Sequence, residues 1–308
     1  MHNMHEYLAT APFDLYELHL FHLVAKQRSF TKAAEIAGLT QSAITRQIQG
    51  MENSLGVDLL ERTTRSVRLT EAGEFLIRES GRLLGDVERS LQTLREEFAG
   101  AKKQVRVGVS RSIALAYLPG FFHANLKRSP EIACRISHQS DEEILSGLEA
   151  NELDLGIICP PARLPQTIRV TRKFDDAFTL IAPIEAAKSF AALPANRRLY
   201  RSWIAEQKWL LLEETSNTGR RLRSWIAKQG WRVEPTMELD NFDLIVNLVS
   251  LGMGASFVPM RALALYGQKR TFERLHLPEK FTRELAVVVR KHRKMPQHLE
   301  RFVENVLF

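Results

Sequence analysis

The chain has 308 residues, enough for two or three domains, and its 44% hydrophobic and 26% charged content excludes a largely disordered or collagen-like polymer. The formal net charge is +7 but unevenly placed: residues 1–103 carry 13 Lys and Arg against 14 Asp and Glu, a net −1, and the remaining 30 against 22 give residues 104–308 a net +8. A nucleic-acid contact by the N-terminal part must therefore rest on where its charges sit, while the C-terminal excess suits an anionic small molecule or nothing specific. In chain order, Leu15, Leu18, Phe21, His22 and Ala25 recur at helical spacing. A turn at Arg28-Ser29-Phe30 follows, and Thr31 is a suitable N-cap for a short helix from Lys32 to Ala37. Gly38 stops that helix and Thr40 caps the next, which runs to about Leu55. Gly56 then supplies a left-handed cap, with Val57 as the apolar contact behind it. Helix, glycine-containing turn, helix is the helix-turn-helix arrangement. Phe30, Ile36, Leu39, Ile44, Ile48, Met51 and Leu55 supply its apolar core, and Ala33 and Ala34 allow close helix approach.

That core leaves Gln41, Ser42, Thr45, Arg46 and Gln49 on the opposite face of the third helix. These side-chain types suit a major groove: Gln pairs with adenine, Arg with guanine, Ser and Thr with base edges or phosphate. Leu59 to Leu69 reads as two short strands around a turn, a wing placing Arg62, Arg65 and Arg68 where they can meet phosphates or a minor groove. The alternative is a structural helical bundle with a solvated basic hairpin. Thr70 then caps a long helix with Glu71 and Glu74 in its first turn. Leu76, Leu83, Val87, Leu91, Leu94 and Phe98 form one apolar stripe along it. Over Thr70 to Phe98 such a helix reaches about 42 Å. Its seam needs a cover, either a second copy of the chain or the rest of its own chain. Gly100 to Lys103 reads as a linker.

From Gln104 onward apolar strands alternate with amphipathic helices, arguing for a mainly parallel sheet. The strands are Val105–Val109, Cys134–His138, Asp154–Cys159 and Phe178–Ala182, with a helix starting near Ile113 and another over Asp141 to Asn151. In a second lobe, Trp209–Leu212 is a strand, and Thr215 to Thr218 precede a basic helix, Gly219 to Gln229. Chain crossings near Pro183 and near Arg283 to Val289 separate the lobes, and a last helix over Pro296 to Leu307 closes the first. Ligands of such sheets sit beyond strand carboxyl ends, near helix N-termini. That singles out Ser110, Arg111, Ser112, Gln139, Ser140, Asn217, Thr218 and Asn241, a set suited to a carboxylate or similar anion; as single residues they serve equally as helix caps. The helix bearing Arg220, Arg221 and Arg223 reads as a solvated face.

Residues 15–73 resemble the DNA-binding domain of LysR-type transcriptional regulators. Four blocks carry the resemblance: Ser29-Phe30-Thr31-Lys32-Ala33-Ala34; Leu39 to Ile48; Leu55-Gly56-Val57-Asp58-Leu59-Leu60-Glu61-Arg62; and Leu69-Thr70-Glu71-Ala72-Gly73. It continues more weakly through Glu152 to Ile158 and Gly252 to Pro259. The family often has Pro where this chain has Ser42 and Ser where it has Thr45. Both lie on the exposed face, so they bear on the operator sequence and not on the fold. The resemblance implies an α/β protein with a winged helix-turn-helix over 13–69 and a dimerising linker helix over 70–99. It implies a two-lobed periplasmic-binding-protein-like sensor over 104–308, lobe 1 about 104–182 and 283–308, lobe 2 about 183–282. It also implies double-stranded DNA, a small-molecule inducer between the lobes, and homodimers assembled into homotetramers.

An enzyme and an exported solute-binding protein are the rival classes. The chain lacks a nucleophile elbow, a P-loop, a HExxH helix and a CxxC pair. Gly252 to Phe257 lacks the third glycine of a dinucleotide loop, and His19 and His22, though on one helix face, have no metal-ligand partners. No cofactor or metal is expected. Met1 to Pro12 has no apolar signal core, and no apolar run approaches the ~18–20 residues that cross a bilayer. Cys134 and Cys159 make no disulfide framework, and as residues of apolar strands they read as buried, inert thiols. The sequence thus predicts a cytoplasmic, ligand-responsive DNA-binding regulator without membrane attachment.

Overall fold

The structure, a computed structural model, describes residues 11–62, 67–113, 118, 130–194, 197–266, 271–291 and 295–304. Arg65, the side chain of Arg62, the predicted helix beyond Ile113 and the last turn predicted before Leu307 lie outside the described residues. The chain divides into two compact units, Met1–Gly100 and Ala101–Phe308.

In the first unit α1 (Leu15–Gln27) opens with a capping box: the Asp14 carboxylate accepts from the Glu17 N–H at 2.7 Å, and the Glu17 carboxylate from that of Asp14 at 3.0 Å. Arg28, in the left-handed region at φ 49°, ends it. Helix α2 (Phe30–Ala37) is capped by Ser29, whose hydroxyl accepts from the Lys32 N–H, so Thr31 is an exposed first-turn residue and not the cap. Both hydroxyl residues can cap, but starting at Ser29 lets Phe30 pack on the core from within the helix. Helix α3 (Gln41–Leu55) is capped by Thr40 and ends at Gly56, φ +71°. Leu18, Leu20, Phe21, Val24, Ala33, Ala34, Ile44, Ile48 and Met51 form the core. Ile36, expected within it, is 58% exposed, and Val57 is exposed behind the Gly56 cap. Hairpin strands β1 (Leu60–Arg62) and β2 (Val67–Leu69) pair antiparallel, Glu61 opposite Arg68. The buried Glu52 carboxylate anchors the wing by accepting from the Leu59 and Leu60 N–H groups at 2.9 and 3.1 Å.

Helix α4 (Glu71–Phe98) is capped by Thr70, whose hydroxyl accepts from the Gly73 N–H and donates to the Asp58 carbonyl at 2.7 Å, joining the helix start to the wing. A Cβ at Gly73 would lie 2.1 Å from the Leu59 carbonyl oxygen, so only glycine permits this approach. Leu83, Val87, Leu91, Leu94 and Phe98 are exposed, Phe98 at 81%. Leu76 departs from the expected stripe: with Ala72, Ile77 and Leu84 it packs on the winged-domain core.

The second unit holds β3 (Lys103–Ser110), β4 (Ile132–Gln139), α5 (Asp141–Glu149), β5 (Leu155–Ile158) and β6 (Ile168–Pro183). It continues with α6 (Ile184–Ala191), α7 (Arg197–Glu206), β7 (Trp209–Leu212), α8 (Asn217–Lys228), β8 (Pro235–Leu239), α9 (Phe242–Ser250) and β9 (Ser256–Pro259). A 3-10 turn (Met260–Leu265), β10 (Phe272–Leu275), β11 (Thr282–Arg290) and α10 (Gln297–Glu304) complete it. The sheets are mixed and not mainly parallel: β3 is parallel to β4 and β5, whereas β11 is antiparallel to β5 and β6. Strand β6 corrects the expected lobe boundary. Its residues Ile168–Ala177 pair with β11, and from Phe178 it pairs with β9 and β10. The chain therefore crosses between lobes at Ala177/Phe178, inside a continuous strand, and not near Pro183. It returns at the start of β11. Lobe 2 is pinned by aromatic contacts, among them Trp209 stacked on Phe257 at 5.2 Å and Trp225 edge-on to Trp231 at 5.1 Å.

Candidate functional site

Two surfaces carry the expected chemistry. On α3, Ile44, Ile48 and Met51 are fully buried, each such side chain contributing roughly 1.5–3 kcal/mol, and that fixes the helix's rotation about its axis. Gln41, Ser42, Thr45, Arg46 and Gln49 consequently line one shallow depression on the outer face. The Thr45 hydroxyl donates to the Gln41 carbonyl at 2.8 Å and Thr40 caps the helix, while Gln41, Ser42, Arg46 and Gln49 are exposed. Thr31 and Arg68 are exposed nearby in sequence, on α2 and the wing.

In the second unit a cavity of about 250 Å³ opens between the lobes, at the carboxyl ends of β3 and β4 and the N-termini of α5 and α8. Of the predicted residues, Ser110, Arg111, Ser112, Ser140 and Asn217 line it. Asn241 lines an adjoining cavity of about 330 Å³ with Arg111, His138, Asp240 and Asp243. Gln139 and Thr218 line neither; Thr218 is fully buried beside Ser112. Ser140 caps α5 and Ser216 caps α8, which begins two residues before the predicted Gly219.

The sequence did not single out several residues that build this site. Arg283, 1% exposed, pairs through Nε with Asp176 at 2.9 Å. Its Nη1 donates to Thr218 Oγ1 at 2.8 Å and Ser112 Oγ at 3.2 Å. Its guanidinium lies 5.3 and 5.5 Å from the ring centres of Phe178 and Phe242. Arg283 and Asp176 are register partners on β11 and β6, beside the crossing, so one cation bridges Ser112 of lobe 1 and Thr218 of lobe 2. Asp141, at the first turn of α5, accepts from Asn217 Nδ2 at 3.0 Å, and Asn217 also donates to the Cys159 carbonyl. Burial pushes the Asp141 carboxyl up, opposed by Ser110, Asn217 and Arg283. Burial likewise pushes up the thiols of Cys159, which is buried as expected, and of Cys134, which is half-buried where a buried residue was expected. The α8 arginines are not simply solvated: Arg220 lines the cavity and donates to Asn217 Oδ1 at 2.6 Å. Arg221 donates to the Pro160 carbonyl at 2.7 Å, and Arg223 pairs with Glu238. His22, half-buried on α1, hydrogen-bonds Ser80 of α4 at 2.7 Å. Among the described residues no cluster of His, Cys, Asp and Glu can hold a metal, and no helix is long and apolar enough to cross a membrane.

Comparison with known proteins matches residues 15–74 to the family model described as "Bacterial regulatory helix-turn-helix protein, lysR family" and residues 98–307 to "LysR substrate binding domain". A "Probable RuBisCO transcriptional regulator" of Thalassiosira pseudonana is 27% identical over 283 residues, 90% of this chain and 91% of that protein. A "Probable hydrogen peroxide-inducible genes activator" of Streptomyces viridosporus is 30% identical over 254 residues, 81% of this chain and 78% of that protein. The solved structure of full-length CbnR with its target DNA superposes with a TM-score of 0.66 at 23% identity, over 96% of this chain and 99% of that one. A full-length, singly substituted OxyR of Pseudomonas aeruginosa superposes with a TM-score of 0.66 at 21% identity, over 96% and 93%.

Proposed function

The chain belongs to the lysR family of regulatory helix-turn-helix proteins, and from that premise we propose that it is a cytoplasmic, ligand-responsive transcriptional regulator that reads duplex DNA with α3. The observation that carries the proposal is the outer face of α3: Gln41, Ser42, Arg46 and Gln49 exposed together, above three fully buried apolar side chains. Thr40 and Thr45 belong to the same helix start, Thr31 adds a hydroxyl from α2, and Arg62, Arg65 and Arg68 supply backbone contacts from the wing. The relatives named above are described as a probable transcriptional regulator and a probable activator, and CbnR, described as a LysR family transcriptional regulator, was solved with its target DNA.

A second copy covers the exposed stripe Leu83, Val87, Leu91, Leu94 and Phe98, and dimers pair into tetramers through their sensor units. Two α3 helices then read two half-sites a whole number of helical turns apart. A small molecule enters between the sensor lobes at Ser110, Ser112, Ser140 and Asn217, close to Gln139, Thr218, Arg111 and Asn241. By binding one lobe arrangement more tightly it shifts the population of the oligomer and the spacing of its winged domains. Footprinting on duplex from upstream of the protein's own and neighbouring genes tests this. Two protected half-sites are expected; uniform, sequence-independent protection would overturn it. Ser110→Ala should blunt the inducer response and spare DNA binding, and loss of DNA binding would show a structural role instead.

A further inference from the structure

The cavity between the lobes does not have the lining of a plain anion site. Two cationic side chains, Arg111 and Arg220, share it with four carboxylates, Asp141, Glu142, Glu213 and Asp240. A simple carboxylate would enter against that excess of negative charge. The carboxylate nearest the floor is incompletely answered: Asp141 is 6% exposed, its Oδ2 accepts from Asn217, Ser110, the Cys159 backbone and Arg283 stand close enough to favour its charge, and its Oδ1 still has no hydrogen bond of normal geometry. The Ser110 hydroxyl beside it is shared with Ser112 at 2.9 Å. A buried acceptor left open costs about 1–3 kcal/mol, and with the excess of carboxylates this end of the cavity calls for a cationic N–H donor. Arg220 and the capped N-terminus of α8, whose first turn carries no acidic residue, offer the opposite polarity across the cavity.

Resting on the cleft assigned above, we propose that the inducer is a small zwitterion of the α-amino acid kind, its ammonium held by Asp141 and its carboxylate by Arg220 and the N-terminus of α8. The cavity's ~250 Å³ is of the size for one such molecule, and the adjoining cavity, which shares Arg111 and Asp240, gives room for a polar side chain.

The test is thermal shift and calorimetric titration of the full-length protein with the proteinogenic L-amino acids. Each is paired with its des-amino acid and its decarboxylated amine, for example serine with 3-hydroxypropionate and ethanolamine, and alanine with propionate and ethylamine. At least one amino acid is expected to bind while its des-amino partner binds 10-fold or more weaker. Asp141→Asn should weaken that binding about 10–100-fold, and Arg220→Gln, which leaves the Asp141 neighbourhood intact, should weaken it too. A des-amino acid that binds as tightly as its parent, in a manner lost in Asn217→Ala, overturns the zwitterion and leaves the cleft assignment standing. An amino acid whose binding is untouched by all three substitutions overturns the cleft assignment itself. A panel with no binder overturns the proposal.

Discussion

Replacing Arg283 by methionine removes a buried cation that ties the sensor's lobes together. Methionine keeps the apolar stem, so the cavity cost is small, but it removes the buried cation paired with Asp176, whose side chain is 1% exposed. Breaking a buried ion pair from one side costs about 3–5 kcal/mol. Thr218 and Ser112 also lose an Nη1 donor each, worth about 1 kcal/mol apiece but partly recovered by their bond to each other. The Arg283→Met sensor should therefore be about 3–5 kcal/mol less stable. The double variant Asp176→Leu/Arg283→Met should recover most of that loss, because replacing both partners leaves no orphaned charge. Urea unfolding followed by tryptophan fluorescence reads this selectively: all four tryptophans, at 203, 209, 225 and 231, lie in the second lobe. A single-variant loss under about 1 kcal/mol, or a double-variant loss equal to the sum of the singles, would refute the argument.

Other perturbations bear on other links of the account. Burial, helped by His19 and Lys26, lowers the His22 pKa to about 4. Between pH 6.5 and 4 the unfolded chain binds a proton that the folded chain refuses, so this contribution is complete above pH 6.5 and is lost as pH falls. After allowance for solvent screening the loss by pH 5 is about 1–2 kcal/mol. Calorimetry should show it in the wild type and not in His22→Gln; identical pH profiles would count against a neutral His22. Leu91→Lys places a charge in the middle of the exposed stripe of α4 and should weaken self-association at least 10-fold by sedimentation, whereas unchanged association would move the interface elsewhere. Arg65→Ala should weaken DNA binding evenly across sequences and lower the salt slope by about 1; an unchanged slope would take Arg65 off the phosphates.

The winged unit was legible because its signals are local. Thr40, Gly38, Gly56 and Thr70 act where their chemistry predicts, and Ile44, Ile48 and Met51 fix the face of α3 by spacing alone. Errors arose where two local answers competed, as with Ser29 against Thr31, or where tertiary packing chose among apolar residues, drawing Leu76 inward and leaving Ile36 out. Strand β6 was read only from Phe178 because its first half, with Arg169, Arg172, Lys173, Asp175 and Asp176, has no clean alternation of apolar and polar residues. Its pairing with β11, more than 100 residues away, makes it a strand. The same distance hid the Arg283–Asp176 pair. Helix caps pointed to the inter-lobe cavity, but its balance of charge emerged only when α5 and α8 were brought face to face.

The central claim is that the outer face of α3 reads bases. Competition binding decides it most directly: full-length wild type and Arg46→Ala, each titrated with its footprinted duplex and a scrambled duplex at the same salt. The account predicts that Arg46→Ala lowers the ratio of specific to scrambled affinity by about 5–150-fold, the worth of one base contact, with affinity for the scrambled duplex little changed. An unaltered ratio, or an equal loss on both duplexes, would contradict it.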